Sequence, residues 1–231
     1  MTTNFAKHKS ILLQMLKDIY TDTTIAPYLG FKGGTAAMLF YGLDRYSVDI
    51  DLDLLDDSKE ELVFGKIQNI AKGYGGIVDS HRKRFNLLTV ISYEPGAQNI
   101  KIEINRRQFG SNYEIKTFLG ISMLVMTEPD IFAHKLMAMY ERIGKTSRDV
   151  FDVYFFFKQG WEINRGVVEQ RSGLPFKEAL QKCVDMLEHM DDRHILDGLG
   201  ELLSEPQKDW ARAKLKSDTI FFLNVAIENE K

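Results

Sequence analysis

The sequence predicts an α/β protein, more closely an α+β protein, with a mixed sheet in its first part and helices in its second. Apolar residues recur at helical spacing over 5–20. Two β-rich segments, 85–93 and 99–107, are separated by a turn that contains Pro95 and Gly96. From Glu128 nearly to the C-terminus the pattern is helical again, so the two kinds of structure follow one another along the chain.

The first predicted helix ends before Pro27, because proline cannot continue a helix at its interior. Ser58 and Glu61 have the spacing of a capping box and predict the start of a helix that runs toward Gly73. The other predicted elements of this part are a short helix over 36–41 and strands over 48–54, 85–93, 99–107 and 113–126. We assign residues 1–126 to this core and 127–231 to a mostly helical portion with helices over 128–143, 174–190 and 218–229.

Three acids alternate with aliphatic residues in the strand over 48–54. Asp49, Asp51 and Asp53 would therefore lie on one face of that strand, with the aliphatic side chains on the other. Aspartate is uncommon in strands, and carboxylate oxygens are the ligands that hard divalent cations prefer. The pattern predicts a site for Mg²⁺ or Mn²⁺ on the acidic side, while a solvent-facing strand surface is the simpler alternative.

A glycine-rich turn precedes the acids, and it consists of Lys32, Gly33, Gly34 and Thr35. Paired glycines let the backbone approach a ligand closely, and the free N–H groups of the helix that follows suit a phosphate. The spacing is not that of a P-loop, and an ordinary tight turn before a helix would also explain the glycines. Taken with the nearby Arg45 and Ser47, the turn predicts a phosphate cradle opposite a metal site.

These segments resemble the first motif of the AbiEii/AbiGii nucleotidyltransferase toxin family, which belongs to the polymerase-β-like nucleotidyltransferase superfamily. The similarity rests on Gly-Gly-Thr-Ala at 33–36 and on Arg-Tyr-Ser-Val-Asp-Ile-Asp-Leu at 45–52. Three later segments are also similar to motifs of the family: the strand over 100–105, Asp130 with Lys135, and Arg148-Asp149 with Asp152.

The resemblance implies a polymerase-β-like core and an enzyme that moves a nucleoside monophosphate from an NTP to an acceptor hydroxyl. It implies an RNA acceptor, such as a tRNA end, or a protein acceptor, and an antitoxin partner. The helical portion is expected to complete the nucleotide cleft. Two alternatives stay open, namely transfer to a small molecule of the aminoglycoside type and a catalytically idle member that binds nucleotide or RNA.

We assign the expected roles as follows. The metal ligands are Asp49, Asp51 and Glu103; the catalytic residues are Asp49, Asp51, Lys135, Asp149 and Asp152; the nucleotide contacts are Lys32, Gly33, Gly34, Thr35, Arg45, Ser47 and Lys135.

The later candidates each have a simpler explanation. Glu103 lies on the polar side of an alternating strand, where a solvent-facing acid is equally expected. Lys135 and Arg142 are seven residues apart on one helix and share a face that suits a triphosphate, although a solvated lysine is common there. Asp149 and Asp152 share one side of the next helix, where the helix dipole alone would favour Asp149 in the first turn after Ser147.

Composition limits the remaining possibilities. The formal net charge of −3 argues against a protein that coats nucleic acid indiscriminately. Two local basic runs, 81–84 and 106–107, are either contacts for an RNA backbone or solvated strand ends. Neither a long apolar stretch nor a signal core at 1–7 is present, so we expect a cytoplasmic protein that does not enter the membrane. The single Cys183 excludes an internal disulfide.

Overall fold

The computed structural model describes residues 4–230. Residues 1–3, where part of the predicted signal-free N-terminus lies, and residue 231 are outside the described residues. The chain forms two compact units. The first unit consists of residues 1–42, 46–108 and 112–126, and the second consists of residues 43–45, 109–111 and 127–231.

The first unit contains a mixed sheet, to which seven strands contribute within residues 4–230. The strands are β1 (Leu29–Lys32), β2 (Ile50–Leu54), β3 (Gly76–Arg82), β4 (Asn86–Ser92), β5 (Ile100–Asn105), β6 (Tyr113–Phe118) and β7 (Ile121–Met126). Their order across the sheet is β3-β4-β5-β2-β1-β7-β6. Strand β2 is parallel to β5, and β1 is parallel to β7, whereas the other neighbours are antiparallel. The predicted α/β class with a mixed sheet is thereby confirmed.

Three helices accompany this sheet: α1 (Phe5–Thr21), α2 (Gly33–Phe40) and α3 (Glu60–Lys72). Helix α1 buries one apolar stripe that includes Leu12, Leu16 and Ile19, and it contacts both α3 and β7. The inward side chains of the central strands, among them Phe31 and Leu52, are fully buried. The alternation seen in the sequence thus separates a packed face of the sheet from a polar one.

The second unit is helical. Its helices are α4 (Glu128–Arg142), α5 (Arg148–Lys158), α6 (Arg165–Ser172), α7 (Phe176–His189), α8 (Glu205–Trp210) and α9 (Lys216–Glu228). Helix α4 packs on α5, α6 and α7, and α9 packs on α5 and α7. Phe132 and Phe156 meet edge to face, 5.4 Å apart, in the core between α4 and α5. Cys183 is also buried, and burial raises the pKa of its thiol to about 12.

Two local predictions are wrong. The capping box at Ser58 and Glu61 does not form, because the chain first makes a 3₁₀ turn over Asp57–Lys59 and Glu61 pairs with Arg82 instead. The short helix was expected to begin after the glycine pair, but α2 begins at Gly33 itself, so the glycines form its first turn.

No helix within residues 4–230 combines the length and the apolar character that crossing a membrane requires.

Candidate active site

The polar face of the sheet carries the predicted acids. Strand β2 lies between β1 and β5, with Asp51 paired to Lys32 on one side and to Glu103 on the other. Directly paired residues project to the same side of a sheet, so these three side chains form one row. Asp53 and Asn105 form the next row, two residues further along β2 and β5. We call the polar surface formed by Asp49, Asp51, Asp53, Lys101 and Glu103 the acidic face.

The glycine turn lies directly against the carboxylate of Asp51. Gly33 has a φ of +78°, a value that favours glycine, and a Cβ built on it would lie 2.8 Å from the Asp51 Cβ and closer still to Oδ2. No side chain fits between the turn and the acid. The contact brings the backbone at the start of α2 next to the Asp51 carboxylate.

Thr35 and Ser47 hold the segment that leads into β2. The Thr35 hydroxyl donates to the backbone carbonyl of Asp49 at 2.5 Å and lies 2.9 Å from the Ser47 hydroxyl. Thr35 is fully buried. The sequence assigned both side chains to phosphate binding. In the structure Thr35 connects α2 to the backbone of Asp49, and Ser47 contacts Thr35.

The charge of Asp53 is compensated within the sheet. Lys32 Nζ lies 2.5 Å from Asp53 Oδ1, Asn105 Nδ2 donates to the same oxygen at 2.7 Å, and Tyr113 donates to Oδ2 at 2.6 Å. Asp53 is buried among these donors. Lys32, predicted as a phosphate contact, is engaged by Asp53 in this structure.

A lysine that the sequence analysis gave no role stands among the remaining acids. Lys101 Nζ lies 3.1 Å from Glu103 Oε2 and 3.8 Å from Asp49 Oδ2. Burial lowers the pKa of Lys101, but Asp49, Asp51 and Glu103 outweigh it and raise the pKa. For Glu103, burial raises the pKa, but the charge of Lys101 and the hydrogen bond from Asn86 outweigh burial and lower the pKa. The acids thus create a negative potential that this ammonium group balances.

The donor set fits a hard divalent cation at two of its three acids. Asp49 and Asp51 offer carboxylate oxygens on a partly exposed surface, which is the chemistry that Mg²⁺ and Mn²⁺ require. Glu103 already has two partners, since Asn86 donates to its Oε1 and Lys101 contacts its Oε2. Across residues 4–230, no three acidic, histidine or cysteine side chains converge closely enough to form a metal cluster by themselves.

The second unit holds a separate group of charges, which we call the ion cluster. Arg45 binds Asp152 in a bidentate manner, with its Nε 2.6 Å from Oδ1 and its Nη2 2.7 Å from Oδ2. Lys135 Nζ lies 2.7 Å from Asp152 and 3.2 Å from Asp149, and Arg142 lies 2.7 Å from Asp149. Both acids are buried, whereas 15% of the Lys135 side chain is exposed.

Electrostatics keep Asp152 ionised inside the protein. Burial alone would raise the pKa of Asp152, but Arg45 and Lys135 outweigh burial and hold that pKa at about 2. Lys135, which the sequence predicted as a phosphate contact, is in contact with both Asp149 and Asp152 in this structure. Arg45 belongs to this unit and not to the core to which the sequence assigned it.

The roles predicted for these residues stay predictions, although their neighbours are now clear. Gly33, Asp49, Asp51 and Glu103 share the acidic face or its rim, and Arg45, Lys135, Asp149 and Asp152 share the ion cluster. No role was predicted for Lys101 or Asn86. A role for Lys101 was predictable, because Lys101 lies two residues before Glu103 and therefore on the same side of β5. Nothing in the sequence around Asn86 indicates its contact with Glu103.

Comparisons with solved structures show which class of fold this is. JHP933 from Helicobacter pylori has 19% sequence identity and a TM-score of 0.58, with 97% of this chain and 92% of that chain covered. A presumed nucleotidyltransferase from H. pylori has 18% identity and a TM-score of 0.58, with both chains covered completely. The fold is therefore that of nucleotidyltransferase-like proteins, as predicted.

The family follows from the sequence profile that matches this chain. The profile of the nucleotidyl transferase AbiEii toxin, of type IV toxin–antitoxin systems, matches residues 14–219, and the chain belongs to this family. A search of the curated proteins gave no match. The resemblance stated from the motifs is thereby confirmed, and membership supports a nucleotidyltransferase toxin for which an antitoxin is a possible partner.

Proposed function

We propose that the protein is a metal-dependent nucleotidyltransferase that moves a nucleoside monophosphate from an NTP to an acceptor hydroxyl, with RNA such as a tRNA end as the first acceptor to test and protein as the second. We further propose that it acts as the toxin of a pair with an antitoxin, in the cytoplasm. Family membership supports the reaction class. The observation that carries the site assignment is the contact between Gly33 and the Asp51 carboxylate.

Asp49 and Asp51 would hold Mg²⁺ or Mn²⁺, with Glu103 as a third candidate. When bound, such an ion would neutralise charge on the triphosphate and lower the barrier to attack at the α-phosphorus. The residues of the chain itself would position the triphosphate and the metal ligands. Gly33 and Gly34 would present the backbone N–H groups of the first turn of α2 to phosphate oxygens. Thr35, which contacts Ser47, holds the backbone of Asp49.

In the reaction, the acceptor oxygen forms a bond to the α-phosphorus and loses its proton to solvent, while the bond from the α-phosphorus to the bridging oxygen breaks and pyrophosphate leaves. Most of the rate acceleration in such chemistry comes from orientation and charge stabilisation and not from a covalent intermediate. The acidic face supplies the orientation through two carboxylates held at fixed places along one polypeptide segment. Lys101 balances the charge of the same acids before any substrate binds.

The assay is transfer of label from each of the four α-³²P NTPs, with Mg²⁺ or Mn²⁺, to total RNA, protein extract or an aminoglycoside panel. Label in RNA or in protein supports the proposal and identifies the acceptor. Label in aminoglycosides alone supports the small-molecule alternative, and nucleotide binding without transfer supports an idle member.

Matched variants test the metal ligands. Asp49→Asn and Asp51→Asn remove a charge without changing the size of the side chain and should abolish transfer. Asp57→Asn makes the same change at an exposed acid just after β2 and should have no effect. Transfer that survives both Asp49→Asn and Asp51→Asn would show that the ligands are assigned wrongly.

A further inference from the structure

Two basic runs that are distant in sequence meet around one exposed aromatic ring. Phe85 precedes β4 and leaves 47% of its surface exposed. The guanidinium carbon of Arg84 lies 4.9 Å from the ring centroid, and that of Arg107, which follows β5, lies 5.4 Å from it. The backbone N–H of Arg106 donates to the carbonyl of Phe85 at 2.8 Å, so the two segments are tied together. We call Lys83, Arg84, Phe85 and Arg107 the aromatic platform.

Not every basic residue of the two runs contributes to this platform. Arg82 pairs with Glu61, and Arg106 pairs with Glu60, so α3 neutralises both. Within residues 4–230, neither Lys83 nor Arg84 forms an ion pair with an acid. Of these two cations, Arg84 lies over the ring.

The platform adjoins the acidic face within the same unit. Arg107 Nε lies 3.3 Å from Asn105 Oδ1, and Asn105 in turn donates to Asp53. Asn86, the residue after Phe85, contacts Glu103. Phe85 is three residues before Leu88, the residue of β4 that pairs with Glu103, which corresponds to about 10 Å of extended chain.

We propose that the aromatic platform binds the single-stranded end of an RNA acceptor, with one base stacked on Phe85 and the flanking phosphates contacted by Arg84, Arg107 and Lys83. Every base has a π-face that stacks on an aromatic ring, and guanidinium groups bind phosphate in a bidentate manner. A duplex would not use the ring, because its bases are already stacked on one another. The inference rests on the proposed function in taking RNA as the acceptor.

The test is fluorescence anisotropy of the full chain with a labelled 12-nucleotide single-stranded RNA, with a duplex of the same sequence and with heparin as a plain polyanion. Phe85→Leu keeps an apolar side chain without a stacking surface, and it should raise the Kd for the single strand roughly five-fold or more while leaving duplex and heparin binding unchanged. Phe85→Tyr restores an aromatic ring and should bind like the wild type.

The arginines are tested by salt dependence. The double variant Arg84→Gln/Arg107→Gln should make the slope of log Kobs against log[salt] shallower by about 1.4, which corresponds to two phosphate contacts on a single strand. The control Lys17→Gln/Lys72→Gln removes two exposed charges elsewhere in the same unit and should leave the slope unchanged.

Four results would overturn the inference: no binding of single-stranded RNA by the wild type, unchanged binding by a folded Phe85→Leu variant, equal losses for single strand and heparin in that variant, or equal effects of the two double variants. The outcome is separable from that of the proposed function. If RNA binds through the aromatic platform but takes up no label, the proposed reaction is refuted and the RNA-binding role of the platform is supported. If RNA takes up label but Phe85→Leu changes neither the Kd nor the KM for RNA, the proposed reaction stands and the aromatic platform is refuted as the RNA-binding surface.

Discussion

Replacing Gly33 by alanine tests whether the glycine turn positions the Asp51 carboxylate. Gly33 has a φ of +78°, and a left-handed conformation costs a residue with a Cβ about 1–2 kcal/mol. The new Cβ would lie 2.8 Å from the Asp51 Cβ, whereas ordinary contact begins at 3.4 Å, so the acid must move by about 0.6 Å at its Cβ and further at its oxygen. Displacement on this scale at a reacting centre typically reduces the rate by about ten- to a hundred-fold.

Gly42 offers a matched control in the same unit. Its φ is +71°, and a Cβ built on it would meet nothing within 4 Å. Gly42→Ala therefore carries the same backbone strain as Gly33→Ala without displacing a neighbour. Gly42→Ala should lose about 1–2 kcal/mol of unfolding free energy, measured by urea denaturation, and Gly33→Ala should lose at least as much, but only Gly33→Ala should lose Mn²⁺ affinity and nucleotidyl transfer.

The comparison separates two explanations of the glycine. If both alanine variants lost metal binding to the same extent, general destabilisation would explain the result. If Gly33→Ala kept both metal binding and transfer, the contact with Asp51 would have no role in the site, and the phosphate cradle would have to be abandoned.

Two other predictions concern the charges. Asp152→Asn leaves Arg45 and Lys135 without their shared anion and should lower the unfolding free energy by roughly 3–5 kcal/mol in urea, with Asp57→Asn as the exposed control. Because the pKa of folded Asp152, about 2, lies below the ordinary value of 3.8, its contribution is complete above pH 3.8 and is lost as the pH falls toward 2; it is on the order of 2 kcal/mol. This acid-induced loss should be absent from Asp152→Asn, and an unchanged pH profile would contradict the assignment. Lys101→Met removes the ammonium that balances the acids and should tighten Mn²⁺ binding by roughly three- to ten-fold in calorimetry, whereas equal or weaker binding would show that Lys101 does not compete with the ion.

Local patterns predicted two of the strands around the acidic face, β2 and β5, whereas the short strand β1 was not predicted. Alternation over 48–54 predicted a strand with its acids on one side. The pairing of β2 with β5 then places Glu103 beside Asp51. Period-two patterns survive folding because a strand in a half-buried sheet must keep its apolar residues on the packed face. The start of α2 was less predictable, since paired glycines are as compatible with a turn as with the first turn of a helix.

Partners across long sequence separations were not predictable in the same way. Arg45 forms its ion pair with Asp152, which lies 107 residues further along the chain. Lys32 contacts Asp53 because β1 pairs with β2. The sequence indicated only that both cations lie near phosphate-binding motifs. Which anion neutralises a cation depends on the tertiary register, and nothing local to Arg45 or Lys32 specifies it.

The contrast between Asp53 and Asp51 shows how the fold distinguishes acids that look equivalent in the alternating strand. Asp53 receives a lysine, an amide and a phenol from β1, β5 and β6, so its carboxylate connects three other strands to β2. A carboxylate with both oxygens satisfied and its charge paired is a poor competitor for a cation, because binding would have to break those contacts first. Asp51, two residues earlier, lies against the glycine turn at Gly33. The same alternation therefore places one acid among three donors of the sheet and another beside the turn, where we propose that it binds the metal.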